Sequence, residues 1–532
     1  MKRYLFIVLA LAAMSVHAKN YTYQTVPNDP MKARIYTLDN GLTVYLTQNA
    51  EKPEILAYIA VRAGAQNDPL NSTGLAHYQE HIMFKGTTNY GTTDYQKEKP
   101  NLDAIDSLYE VYGHTTDAAA RKAIYHQIDS FSYEGSKIAI ANEFDKLMSI
   151  IGATGVNAYT STDRTCYHEV IPSGELRRWA MIESDRFKNL IVRGFHTELE
   201  TVYEEFNMYS TMDNMKVQLA IDQMLYPNVP YRQHTVLGTQ EHLKNPSLKN
   251  IKKFYQDYYR PNNVAICLSG DLDFDATMAI IDEYFGDWQA NPNIPAFVVP
   301  EQKGLTASRD TVVYGKEAQQ VWIAWSIPNI LHKDINAIEI MSSVLYNGKC
   351  GLIDNDILQS QKLLDAGAFV DEGNDYSTFF LVGVPKEGQD VKEVKELLLA
   401  EIDKLQRGEF SEDMLKATIA NYRRSEMQSL QNNSSRVGRF LTSFIFGMPY
   451  EDVVNDLERS AKVTKEDVIR VTKAYLTRNT YVCVNKMQGE DANPDKVDKP
   501  AITPIEMNRE LQSDFVVNLA RMQSQPQTPQ YL

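Results

Sequence analysis

Cysteine is scarce in this chain. The four in 532 residues are Cys166, Cys267, Cys350 and Cys483, and no two stand in C-x-x-C spacing. That excludes a disulfide framework and a thiolate metal cluster. Three of the four lie in strand-like apolar runs and read as buried thiols. Positive charge is also short. Lys and Arg number 54 against 69 Asp and Glu, a formal net charge of −15, which argues against nucleic acid or an anionic membrane as partner. Beyond residue 18 no apolar run is long enough to span a bilayer. Histidine is rare as well, ten in all, so two of them close together carry information.

What is present begins with an address. Lys2 and Arg3 precede an apolar run from Tyr4 to Ala13, and Val16-His17-Ala18 suits a signal peptidase. Residues 1–18 are therefore expected to be a secretory signal peptide, with a periplasmic product in a bacterium with two membranes. The remaining length is too great for one core and implies two domains. Asn291-Pro-Asn-Ile-Pro-Ala-Phe-Val-Val-Pro300 is the clearest linker. It separates an expected domain over 19–290 from a second over 306–490, with the linker taken as 291–305 and a tail over 491–532.

Local patterning fills in both parts. Asn40-Gly41 between alternating apolar residues predicts a hairpin over 33–46 with a two-residue turn. Residues 95–137 are highly charged with two amphipathic stripes, the pattern of a helical hairpin. Residues 155–170 read as strand, turn and strand, and a long helical region is expected from 174 to about 209. The helix-then-strand order of 247–271 returns over 464–485. The fold class that follows is α+β, as two homologous domains, each a mostly antiparallel sheet with helices packed on one face.

The chemistry centres on His77-Tyr78-Gln79-Glu80-His81. Histidines four apart share one face of a helix, where two imidazoles can grip one Zn2+ while a neighbouring carboxylate deprotonates a water. The order H-x-x-E-H inverts the commoner H-E-x-x-H zinc peptidase motif. A hydrolytic zinc wants a third protein ligand and one open position. The acidic stretch from Glu198 to Tyr209 offers Glu198 and Glu205, seven apart and so on one helix face, with Glu204 turned about 100° from Glu205.

Taken together, several segments resemble the pitrilysin/insulinase family of zinc peptidases. They are Gly74-Leu-Ala-His-Tyr-Gln-Glu-His-Ile-Met-Phe-Lys-Gly-Thr87, Asn157-Ala-Tyr-Thr160, the Glu198/Glu205 pair, and Tyr258-Tyr-Arg-Pro-Asn-Asn-Val264 before Gly270-Asp271. The likeness is to two-domain members such as mitochondrial processing peptidase and its bacterial relatives, and runs from about residue 33 to 488. It implies one Zn2+ per chain held by His77, His81 and Glu205, with Glu198 supporting the ligands and Glu80 as general base. It also implies an edge strand over 155–160 to which a peptide substrate adds, with Asn157 and Ala158 in contact with it.

Two departures stand out. His81 and Glu205 are 124 residues apart, beyond the family's usual gap, and the surplus is the 95–137 stretch, expected as a helical insertion at a chamber rim. The family also carries an Arg-x6-Tyr pair in the half without zinc. Here the matching positions are Gln361 and Ala368, or Lys362 and Phe369. The expected function is thus an exported zinc endopeptidase for unstructured peptides. A zinc-less homologous partner subunit, in a heterodimer, would supply the missing donors; a homodimer is the other expected assembly. The alternative is a non-catalytic or weakly active peptide-binding subunit of a peptidase complex.

Overall fold

A computed structural model describes residues 19–490, 501–504 and 510–523. The expected signal peptide, 1–18, lies outside the described residues, as do 491–500, 505–509 and 524–532 of the tail. The strands are β1 Tyr23–Gln24, β2 Arg34–Thr37, β3 Thr43–Gln48, β4 Glu54–Val61, β5 Thr154–Thr160, β6 Thr165–Pro172, β7 Val264–Gly270, β8 Arg309–Gly315, β9 Gln320–Ile327, β10 Asp365–Asp371, β11 Ser377–Val384 and β12 Tyr481–Gln488. Helices of the first half are α1 Leu75–Ile82, α2 Tyr95–His114, α3 Ala118–Ser136, α4 Glu143–Ile150, α5 Leu176–Lys188, α6 Phe195–Thr211, α7 Asp213–Leu225, α8 Gln240–Lys244, α9 Leu248–Tyr258 and α10 Phe274–Phe285. After the linker come α11 Ile335–Leu345, α12 Val391–Arg407, α13 Glu412–Ser429, α14 Asn433–Phe446, α15 Tyr450–Val454, α16 Asp456–Ser460, α17 Lys465–Tyr475 and α18 Asp514–Arg521.

Two sheets result. The first runs β1-β2-β3-β7-β4-β6-β5 and the second β8-β12-β9-β11-β10. In each, one pair is parallel (β3 with β7, β8 with β12) and its neighbours are antiparallel. The second sheet therefore repeats five strands of the first, β3-β7-β4-β6-β5, in order and direction, which makes the two halves copies of one plan. The pairs α9–β7 and α17–β12 are the repeated helix-then-strand unit.

Strand residues alternate between faces, and here both faces are apolar. Ile55, Ala57, Ile59 and Val61 of β4 join the first half's own helices in its main core. Ala60, with Tyr45, Cys166, Ala265 and Cys267, faces the other way onto Val437, Phe440, Leu441 and Phe444 of α14. The exchange is mutual. Val217, Ile221 and Leu225 of α7 cover Ala324, Phe380, Val482 and Val484 of the second sheet. Each half's own helices thus lie on one face of its sheet, and one helix lent by the other half closes the opposite face. The buried cysteines of the strands pack as free thiols. Phe440 sits at the centre of this exchange, fully buried, its ring 5.2 Å from Tyr45 and 5.7 Å from Tyr450. Phe440→Ala is expected to cost about 3–5 kcal/mol, read as a lower denaturant midpoint for the first half.

Three sequence expectations change. The Asn40-Gly41 turn is not a two-residue turn. Leu38 N donates to Leu42 O at 2.9 Å, leaving Asp39, Asn40 and Gly41 as a three-residue loop. Asn40 leaves the turn to donate to Phe285 O (2.8 Å) and Trp288 O (3.1 Å), so tertiary contacts outbid local turn chemistry. The long helical region after 174 is broken between α5 and α6, where Leu190 pairs with Thr87 behind the histidine helix and Gly194 takes φ +63°. Within the tail, α18 returns to the first half, burying Val516 and Leu519 in its core while Ser513 N donates to Glu143 Oε1 at 2.7 Å.

Candidate metal centre

Helix α1 is held at its N-terminus before any chemistry is considered. The Asp68 carboxylate accepts from the first backbone N–H groups of α1, at Gly74 (2.7 Å), Leu75 (3.2 Å) and Ala76 (2.8 Å). A negative group there also suits the helix dipole. Gly74, at φ +84°, lets the chain enter the helix so close to Leu237 that a Cβ would lie 2.2 Å from its carbonyl oxygen. Leu75, Ala76, Tyr78 and Ile82 are buried in the core, which fixes the rotation of the remaining face.

That face presents His77 and His81, ring centroids 4.7 Å apart. Helix α6 crosses it and brings Glu205. Its Oε2 lies 3.7 Å from His77 Nε2 and 3.3 Å from His81 Nε2. Among the described residues these three form the one group of His, Cys, Asp or Glu whose ligand atoms lie within 4.8 Å of each other. Glu204 is exposed, on the side of α6 away from this group. Glu198, one face along α6, accepts from His81 Nδ1 at 2.7 Å and pairs with Lys85 Nζ. With Nδ1–H donating to Glu198, Nε2 is the ring nitrogen that faces Glu205 and can offer a lone pair to a metal.

The donor set fits zinc. Four ligands at about 2.0–2.2 Å in a tetrahedron place donor atoms about 3.3–3.6 Å apart, close to the two distances from Glu205. Burial pushes His77 down to about 4, so it is neutral and offers a lone pair. Burial works against protonation of His81 too, but its hydrogen bonds to Glu198 and Glu205 outweigh that and lift it to about 9. The His81 hydrogen bond holds Glu205 below the ordinary carboxylate value. Two carboxylates around one ring thus supply the negative charge a dication would replace the proton to meet.

Glu80 lies beside this group, 8 % exposed, with Oε2 accepting from Thr160 Oγ1 at 2.5 Å. Burial raises its carboxyl above the usual range, the Thr160 bond opposing. Thr160 ends β5, which pairs only with β6 and so forms a sheet edge. Asn157 is exposed on that edge, and its Oδ1 accepts from Ala158 N at 2.9 Å. Thr160 and Tyr209 also line a cleft of about 440 Å3 between the halves, with Arg164, Arg232, Asp371 and Glu372. Two participants escaped the sequence reading. Lys85 was within reach, since it follows His81 by four residues. Thr160 stood only as the end of the expected edge strand, and no local signal marks it as a partner of Glu80.

Family models match the chain in two places: the insulinase family, peptidase M16, over residues 43–115, and the peptidase M16 inactive domain over 247–422. The chain belongs to the M16 family. Zinc protease PqqE of Helicobacter pylori is 23% identical over 73% of this chain and 88% of its own length. Among solved structures, a Helicobacter pylori protease has TM-score 0.70 at 20% identity, covering 86% of this chain and 99% of that one. The periplasmic protease PqqL of Escherichia coli has TM-score 0.64 at 15% identity, but 96% of this chain corresponds to only 52% of it. Among the described residues no helix is long and apolar enough to cross a membrane. As an M16 chain it lacks a phenol and a guanidinium at the second-half positions discussed above. Gln361 takes φ +52°, and Phe369 stacks on Phe380 with centroids 4.9 Å apart.

Proposed function

We propose that this chain is a zinc-dependent endopeptidase acting on unstructured peptides. The observation that carries the reading is the convergence of His77, His81 and Glu205, with Glu80 beside them and Glu198 behind His81. His77, His81 and Glu205 would hold one Zn2+ per chain. Zinc supplies a Lewis acid that makes a water acidic near neutral pH and stabilises the oxyanion of a peptide carbonyl. Glu80 acts as general base. Thr160 ties one of its oxygens, so the other is aimed, and the raised basicity of a buried carboxylate suits a base working near neutral pH. Glu80 takes a proton from the attacking water and hands it to the departing amine nitrogen. Glu198 keeps the His81 ring in the tautomer that leaves Nε2 free.

The peptide adds to β5 as a further strand. Its backbone replaces Asn157 Oδ1 as the partner of Ala158 N–H, so Asn157 guards the edge when no substrate is present. Export is part of the proposal: the expected signal at 1–18 and the periplasmic location printed for PqqL both support it. A partner is part of it too. The chain corresponds to about half of PqqL, so a second unit of similar size completes the enclosure, and a homologous subunit that carries the missing pair supplies carbonyl donors. Gln361 and Phe369 favour a second reading, a peptide-binding subunit that is weakly active alone.

The test is hydrolysis of a fluorogenic unstructured peptide by the purified chain. A strong chelator is expected to abolish turnover, and one equivalent of Zn2+ to restore it. Turnover that survives complete removal of metal overturns the zinc reading.

A further inference from the structure

Helix α6 carries both Glu198 and Glu205, so its placement decides where two of the centre's carboxylates stand. Its first turn has no side-chain cap, with Gly194 at the N-cap position. The restraint comes from the 95–137 hairpin. His196, 1 % exposed, has Nδ1 2.9 Å from the Tyr109 hydroxyl on α2 and Nε2 3.3 Å from Asp129 Oδ1 on α3. The Tyr125 ring of α3 lies 4.8 Å from the imidazole. Just before the helix, Arg193 forms a buried ion pair with Glu98 of α2 at 2.6 Å and donates to Thr87 O at 3.0 Å. Asp129 is fixed in turn from the far end of the chain, accepting from Thr503 N (2.9 Å) and Thr503 Oγ1 (2.6 Å).

We propose that the 95–137 hairpin is a clamp on α6, with Tyr109 and Asp129 as positioning residues that set, through His196, where Glu198 and Glu205 meet the histidines of α1. The magnitude favours this. Side-chain ends lie about 5–6 Å from a helix axis, so a rotation of about 20° moves a carboxylate by about 2 Å. A working site tolerates displacements of about 0.5 Å. A helix turns as a rod, so a grip on its first turn is felt two and more turns along. Residues 501–504 lock the clamp by holding Asp129. The proposal rests on the zinc reading only for its consequence at the metal. The grip itself is a property of the chain.

The experiment uses the full mature chain with Tyr109→Phe, which removes the phenol's hydrogen bond to His196, and Asp129→Asn, which removes the carboxylate charge beside His196 Nε2, both at nearly constant volume, and Lys99→Ala on the hairpin surface as control. Hydrogen exchange of α6 amides is read in metal-free protein, and zinc affinity by competition with a chromophoric chelator. In both clamp variants α6 is expected to exchange faster than α5, and zinc to bind about tenfold more weakly, while the melting temperature stays near that of wild type. Thr503→Val is expected to follow in the same direction. Wild-type exchange in α6 in both variants overturns the clamp, as does faster exchange spread evenly over the whole first half. If wild-type protein takes up no zinc, the functional reading fails, and the exchange of α6 still decides the clamp.

Discussion

Glu80→Gln is expected to lower kcat by about 10²- to 10⁴-fold, the usual contribution of a positioned general base, with zinc content and KM close to wild type. Glutamine keeps the shape and an oxygen for the Thr160 hydroxyl, but it has no basic site at neutral pH. The loss corresponds to about 3–5 kcal/mol of barrier. The hydrogen bond that Glu80 accepts comes from the neutral Thr160 hydroxyl, which glutamine also satisfies, so the fold has little reason to respond. Steady-state hydrolysis of a fluorogenic peptide, with zinc measured in the same samples, makes the comparison. A variant as fast as wild type would remove Glu80 from the reaction and leave a binding subunit as the better description.

Glu205→Gln is the second large effect. It replaces the anionic donor 3.3 Å from His81 Nε2 with a neutral amide, and zinc affinity is expected to fall by more than about 100-fold, beyond the 10–100-fold typical of outer partners. Glu198→Gln belongs in that smaller range, since Glu198 reaches the centre only through His81. Glu204→Gln, on the exposed side of α6, is expected to leave zinc binding unchanged. Dialysis against a moderate chelator followed by metal analysis ranks the three. If Glu204→Gln loses zinc and Glu205→Gln retains it, α6 is rotated by about 100° from the arrangement described here.

The two histidines and Glu80 were legible because helical spacing is a local property: four residues always make one turn. The Glu198–Glu205 spacing was legible for the same reason, and its separation from Glu204 followed from 100° per residue. The hairpin strands β2 and β3 and the buried strand β7 were visible in alternation and apolar runs. The seven residues of β7 are all buried, which signals cover on both faces rather than one. The loop over 39–41 was misread because Asn40 is used by Phe285 and Trp288, almost 250 residues away.

By itself, then, the sequence determined the elements, the duplicated plan and the presence of a metal-capable helix, since propensity, period and spacing act within a few residues. Tertiary structure alone decided which distant side chains complete that helix: Thr160 on Glu80, α6 turned so that Glu205 faces inward, and the 95–137 hairpin gripping His196. It also decided that α7 and α14 change places between the sheets. Such choices depend on how apolar faces find cover across hundreds of residues, and a carboxylate's direction in space follows from that packing, not from its neighbours in the chain.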